Sequence, residues 1–425
     1  MTDIGGDPDD QQSMIRLMTY SNEFAIEGLI ATASGTRGEL KDKVTRPDLI
    51  REIVEAYGKV RDNLARHAEG YPTAEYLLDR VKAGSSDRGI DTIGEGHDSE
   101  ASRFIIEVVD RDDPRPLHVA IWGGQTDLAQ ALWRVRKARG DEAVARFASR
   151  LRIYDIGDQD GVQPWLFENF PDLFYVLGKP NKGEDIRETV YRGMYLGGDE
   201  SLTSREWLNE HVRTNHGPLG ALYPVGTWTA PNPHSSLKEG DTPSWFYFLP
   251  NGLGDARHPE WGGWGGRFHH HERGLYRDDP DTIGDETHVR VGVWRWRPAF
   301  QNEFQARMDW CVLAPDEGNH APLAVVNGDR SRDIVRLKAT PGNTFELAAD
   351  ESTDPDDDEI HWKWWIYREA GKNSDVELTE EILPDTVLRV SENSPAGQIH
   401  VILEVTDLGT PPLTAYRRVV IDVER

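Results

Sequence analysis

The sequence predicts an α/β domain, a mostly parallel sheet flanked by helices, followed by a small all-β sandwich. Three observations predict it. Short β-rich runs alternate with helical periods up to about residue 180. The texture then turns to Gly, Pro, Trp and charge as far as Pro298. From Ala321, short β runs recur at fairly even spacing with no helix between them.

Met14, Ile15, Leu17 and Met18 form one helix face behind Pro8-Asp9-Asp10, and Ile26 to Ala31 reads as a buried strand. Leu49, Ile50, Ile53, Val54, Tyr57 and Val60 keep helical spacing, as do Phe104, Ile105, Val108 and Val109 behind Asp98 and Ser99. Leu117 to Trp122 is the next strand, Leu128, Leu132 and Val135 mark a helix, and Leu151 to Ile156 and Leu173 to Leu177 are further strands. Strands separated by helices pair in parallel and are covered on both faces. Between Gly178 and Pro298 one helix is clear around Ser204 to Val212 and another is placed at Thr242 to Leu249. The remainder is long loop, which compact domains keep for function, and it is expected to roof the sheet's carboxyl edge. Val325, Phe345 to Leu347, Ile360 to Tyr367, Val387 to Val390, Ile399 to Val405 and Arg417 to Val423 are the sandwich strands. Asn319-His320-Ala321-Pro322 is the junction, giving domains at 1–318 and 321–425.

Composition narrows the function. The 425 residues carry 74 Asp and Glu against 48 Lys and Arg, a formal charge of −26. An acidic chain lacks the basic surface that nucleic acid or an anionic membrane face requires. The excess reads as good solubility or a high-salt habitat. No apolar run approaches the roughly 20 residues of a membrane span, and the single Cys311 excludes both a disulfide framework and a Cys-ligated zinc site. The first residues show no secretory signal. No nucleophile elbow, P-loop or dinucleotide fingerprint stands where its mechanism needs it.

Chemistry concentrates elsewhere. Thr2-Asp3-Ile4-Gly5-Gly6-Asp7-Pro8-Asp9-Asp10 crowds four carboxylates in front of a helix. Such a loop suits Ca²⁺, which takes 6 to 8 oxygen ligands, and it equally suits acidic capping of a helix N-terminus. Trp122-Gly123-Gly124-Gln125-Thr126-Asp127 joins a strand to a helix at the edge where α/β sheets bind ligands. Glu239-Gly240-Asp241-Thr242 carries another acid before a helical stretch. Glu95, His97 and Asp98 are candidates for sugar hydroxyls, with helix capping as their alternative; so are Asp158 and Gln159 after the Leu151 strand. Trp261 and Trp264 in a Trp-Gly-Gly-Trp-Gly-Gly run suit stacking on sugar rings, or anchorage of a loop. His269-His270-His271 reads as a surface run without a metal, and the Asp350 to Asp358 turn as a solvated acidic turn of a cadherin-like sandwich, with a second Ca²⁺ as its alternative.

The segments T-D-I-G-G-D-P-D-D, I-E-G-L-I-A-T, W-G-G-Q-T-D-L-A, E-G-D-T-P-S and H-P-E-W-G-G-W-G-G-R-F make residues 1 to about 318 resemble the nucleoside-hydrolase-like domain of a group of secreted proteins labelled cellulose-binding or as a domain of unknown function. The remainder resembles the β-sandwich that follows it there. The resemblance implies a Ca²⁺ cofactor held by Asp3, Asp10, the Thr126 carbonyl and Asp241. It also implies that one Asp of the first loop, among Asp3, Asp7, Asp9 and Asp10, activates a metal-bound water. Where nucleoside hydrolases place a leaving-group His before the late Asp, this chain has Gly240, which counts against base release. Glu95, His97 and Glu239 are the candidates to replace that acid. Only Met1 and Thr2 stand in place of the family's first strand, so a natural start further upstream, with an export signal, is expected. The reading that follows is a secreted or periplasmic Ca²⁺-dependent hydrolase of glycosidic bonds in a plant or algal polysaccharide or oligosaccharide. A non-catalytic cellulose- or glycan-binding protein and a nucleoside N-ribosyl hydrolase are the alternatives.

Overall fold

Strands that are apolar on both faces need a layer on either side. In the computed structural model, residues 1–33, 43–226, 236–371, 373 and 375–424 are described. β1 (Leu29–Ala31) pairs in parallel with β2 (Val81–Ala83). β3 (Leu117–Ile121), β4 (Leu151–Ile156), β5 (Phe174–Gly178), β6 (Phe268–Glu272) and β7 (Leu275–Asp278) form a sheet in the order β3-β4-β5-β7-β6. β3, β4, β5 and β7 run parallel, and β6 closes the edge antiparallel. Met1 and Thr2 join the two groups: Thr2 bridges Ala31 in parallel, and the Trp122 N–H donates to the Met1 carbonyl at 2.8 Å.

Two apolar clusters flank this sheet. On one side α1 (Asp9–Thr19), α2 (Pro47–Gly58), α3 (Arg61–His67) and α4 (Ala74–Asp79) pack with Tyr154, Ile156 and Val176. On the other, α5 (Glu100–Asp110), α6 (Thr126–Arg139), α7 (Asp141–Ser149) and α8 (Gln163–Asn169) pack with Ile153, Tyr175 and Leu177. Local signals set the helix ends. Ser99 and Ser102 make a reciprocal capping box on α5. Arg136, Lys137 and Arg139 complement the end of α6, and Gly140, at φ +83°, turns the chain into α7.

The expected Ile26 strand is ordered as a ladder only from Leu29. The Ser204 to Val212 helix is α9 (Arg205–Leu208) followed by a wide turn over Asn209–Arg213. Beyond it come α10 (Gly217–Ala221), α11 (Thr242–Phe246), the hairpin of β8 (Asp281–Ile283) and β9 (Glu286–His288), α12 (Val291–Trp294) and α13 (Arg297–Asp309).

The C-terminal part holds β10 (Val335–Ala339), β11 (Thr344–Ala348), β12 (Ile360–Ile366), β13 (Val376–Leu378), β14 (Asp385–Val390), β15 (Gly397–Asp407) and β16 (Thr414–Val423). One sheet has the order β10-β16-β15-β12 and the other β11-β14-β13, with Trp364, Val401, Leu403, Leu347 and Leu388 buried in the cluster they share. β10 and β13 are strands that the apolar spacing did not mark. The two parts interlock. Arg418 Nη2 donates to the Gly262 carbonyl at 2.9 Å, and the Tyr367 hydroxyl donates to Asp281, which also holds Arg267 at 2.6 Å and Arg295 at 3.0 Å.

Candidate metal centre and substrate cavity

The acidic loop ends in the first turn of α1, so Asp9 and Asp10 sit at the positive end of a helix. Thr2 Oγ1 donates to Asp10 Oδ1 and accepts from the Ile4 N–H at 3.2 Å, which fixes the deepest acid to the start of the chain. The same helix pins the segment that carries the distant acid. Gln12 Nε2 donates to the Ser236 carbonyl at 3.0 Å, and Gln12 Oε1 accepts from the Lys238 N–H at 2.7 Å. Fully buried Arg16 bonds Glu239 through Nε and, at 3.1 Å, through Nη2, and it reaches Gln301 Oε1 at 2.6 Å. Asp241, two residues on, is therefore carried to α1 and precedes α11.

Carboxylate oxygens of Asp9, Asp10 and Asp241 all lie within 4.8 Å of one another. Asp10 and Asp241 are pushed well above the usual carboxylate range, first by burial and then by neighbouring negative charge, from Asp3 and Asp9 on Asp10 and from Asp9, Asp10 and Asp3 on Asp241. Asp241 Oδ2 is buried without a hydrogen-bond partner among the described residues. Converging like charges and an orphaned buried oxygen are what a divalent cation relieves, and an all-carboxylate set suits a hard ion. The residues present fit Ca²⁺.

The cluster lies in the wall of a cavity of about 760 Å³, which Asp3 and Asp7 also line. Its floor is the carboxyl edge of the sheet: Trp122 after β3, and Ile156, Gly157, Asp158 and Gln159 at the end of β4. Its far wall comes from the loop after β5, including Lys179, Arg187, Tyr191, Arg192 and Tyr195. The expected roof is thus present, built largely from residues that no motif marked. A Cβ on Gly123 would stand 2.6 Å from Asp3 Cβ, so the Trp-Gly-Gly turn closes against the acidic loop. Asp158, at φ +53°, is held by Gln125 at 2.7 Å, the Gln163 N–H at 2.9 Å and Lys179 at 2.7 Å. Gln159 donates to the Trp122 carbonyl.

Several expected site residues lie elsewhere. Thr126 begins α6, so its carbonyl belongs to the helix ladder; its N–H (3.1 Å) and hydroxyl (2.5 Å) both bond Asp160, and it does not line the cavity. Glu95, His97 and Asp98 are also outside the cavity lining. Arg134 of α6 draws Asp98 to 2.8 Å and Glu95 to 3.3 Å, while His97 faces solvent. The sugar-stacking reading of Trp261 and Trp264 is corrected outright, because they are 0% and 2% exposed. Trp261 stacks on His258 at 4.1 Å and meets His400 of β15 edge-on, and Trp264 packs on Phe246. They are loop anchors. Glu239 is tied to Arg16, Tyr223 and Thr242 and does not line the cavity. His269 to His271 are exposed on β6, and the Asp354 turn caps its own N–H groups while Asp356 receives His320.

The nucleoside hydrolase-like domain of cellulose-binding Sde182 matches residues 1–268. The chain belongs to this Sde182 family. The C-terminal domain of cellulose-binding protein Sde0182 matches residues 344–423. A solved structure similar to this Sde182-family chain is a nucleoside hydrolase-related hypothetical protein from Saccharophagus degradans, described as associated with carbohydrate metabolism. It has 33% identity and a TM-score of 0.84 over 100% of this chain and 98% of that one. Protocadherin gamma B7 extracellular domains (18% identity, TM-score 0.15, 21% of this chain and 24% of that one) and the titin M3 domain (13%, 0.14, 24% and 97%) show partial matches. No curated protein matches the chain. No helix among the described residues is long and apolar enough to cross a membrane.

Proposed function

We propose that this Sde182-family chain is a Ca²⁺-dependent hydrolase of glycosidic bonds in plant or algal polysaccharide fragments, working outside the cell. The observation that carries the reading is the Asp9–Asp10–Asp241 cluster, with Asp10 and Asp241 buried and one Asp241 oxygen unpartnered among the described residues, in the wall of a cavity of about 760 Å³. Asp9, Asp10 and Asp241, with Asp3 beside them, would hold the ion. Bound there, calcium would polarise water for attack on an anomeric carbon. Asp3 or Asp9 would take that water's proton, and Gln159 at the sheet edge would meet sugar hydroxyls. The sealed Asp158 carboxylate, held by Gln125, the Gln163 N–H and Lys179, would shape the floor without touching the sugar. Gly240 leaves no imidazole for a nucleobase, so a sugar oxygen is the favoured leaving atom.

A screen of defined oligosaccharides with calcium, and again with a chelator, tests this. Calcium-dependent release of a reducing sugar is expected. Retention of the protein on insoluble cellulose with no product under either condition would leave glycan binding as the function, and loss of inosine or uridine absorbance would establish nucleoside hydrolysis.

A further inference from the structure

Hydrolysis of an unactivated glycoside needs a proton for the departing oxygen, and none of Glu95, His97 and Glu239 lines the cavity. Tyr191 does line it. Its ring is enclosed where three glycines make room. A Cβ on Gly178 would lie 3.1 Å from Tyr191 Cδ1, and one on Gly240 would lie 3.3 Å from Cδ2 and 3.6 Å from Cε2. The hydroxyl is 3.9 Å from where a Gly157 Cβ would stand, at the carboxyl end of β4. Tyr191 therefore fills the space that a side chain at 240 would take, one residue from Asp241. The Tyr191 hydroxyl has no hydrogen-bond partner among the described residues, and it is not among the polar atoms sealed from solvent. The Arg192 guanidinium carbon is 5.0 Å from the ring centroid, and its Nε is buried without a partner.

We infer that Tyr191 donates the proton to the departing sugar oxygen, an assignment that rests on the hydrolase reading above. In the step, water oxygen bonds to the anomeric carbon as the bond from that carbon to the leaving oxygen breaks. The water proton passes to an Asp carboxylate of the first loop, and the phenol proton passes to the leaving oxygen. The positive charge of Arg192, over the Tyr191 ring, favours the phenolate that results. Exchange with solvent then returns one proton to the phenolate and removes one from the carboxyl group, so the sum is water plus glycoside giving two hydroxyl products.

The test compares the full chain with its Y191F variant, both in calcium, on 4-nitrophenyl β-cellobioside and on cellotetraose. Nitrophenolate departs without a proton; a sugar hydroxyl does not. Turnover of cellotetraose is expected to fall about 100-fold or more, within the range for loss of a general acid, while nitrophenol release stays within about threefold. An equal loss on both substrates, or a loss on neither, overturns the assignment and leaves the hydrolase reading standing. Absence of turnover by the parent on both overturns the hydrolase reading on these sugars and Tyr191's role with it. The calcium-induced rise in melting temperature is expected to be the same in Y191F and parent; its loss in Y191F would make Tyr191 a structural part of the centre and also overturn the assignment.

Discussion

Asp241 is a buried acid whose second oxygen has no hydrogen-bond partner among the described residues, and Asp9 and Asp10 surround it with charge of its own sign. In D241N the amide removes one of these charges. Calcium affinity, measured by calorimetry, is expected to fall by more than the roughly 10- to 100-fold typical of losing an outer-shell partner. In chelator the same variant is expected to melt above the parent, because a buried repulsion has gone. Asp155 behaves differently. Burial, followed by the charge of Asp158, pushes it up to about 8, while Tyr175 at 2.8 Å and Gln125 at 2.9 Å donate to its Oδ2. The folded protein keeps this proton where the unfolded chain has released it, from the ordinary value of 3.8 upward. Native stability contributed by Asp155 is therefore full below about pH 4 and drains away as pH rises towards about 8. Denaturant midpoints at pH 5 and pH 8 are expected to differ less in D155N, whose amide oxygen still accepts from Tyr175 and Gln125. The acids were legible as residues because four of them crowd one loop. Tyr191 and Arg192 were not, because a tyrosine and an arginine in a loop carry no spacing signal until Gly157, Gly178 and Gly240 are seen to enclose the ring.

Elements were legible where apolar periodicity matched burial. β4 was read to its residue limits, and α1, α2, α5 and α6 were each found. α13 was missed because its inner face is mixed: beside Phe300, Phe304 and Met308 it buries Arg297, Gln301 and Arg307, bonded to Gly193, Leu202 and Thr19 carbonyls, which breaks the apolar period. β7 was missed because charged residues end it and its partner β6 is an exposed edge. The Trp-Gly-Gly-Trp-Gly-Gly loop was found but misjudged, since its aromatic faces look inward towards β15 and β16. W261A would empty a fully buried indole site and is expected to cost about 3–5 kcal/mol, read as a lower denaturant midpoint. Affinity for soluble glycan, measured well below the melting temperature, is expected to stay at the parent's level; its loss from a folded variant would restore Trp261 to the sugar site.

For the molecule as a whole, one apolar cluster runs across both parts, with Tyr367, Ile402 and Tyr416 packed alongside Trp264, Trp296 and Phe300. Calorimetry is expected to show a single unfolding transition for the two parts together, and two separated transitions would show that this seam transmits little. Calcium at about 100 times its dissociation constant is expected to add about 2.7 kcal/mol, reversed by chelator. A net charge of −26 was plain from composition, yet it said nothing of where the acids gather, since that depends on Gln12 and Arg16 drawing in the Ser236 to Asp241 segment. That clasp has its own consequence. Arg16 and Glu239 bond each other behind the acids, so withdrawing the ion proposed for those acids is expected to leave the frame bolted shut. On the proposed calcium-dependent reading, such a molecule would be stored discharged and refilled on arrival, and the calcium level of its surroundings would throttle its work rather than decide its survival.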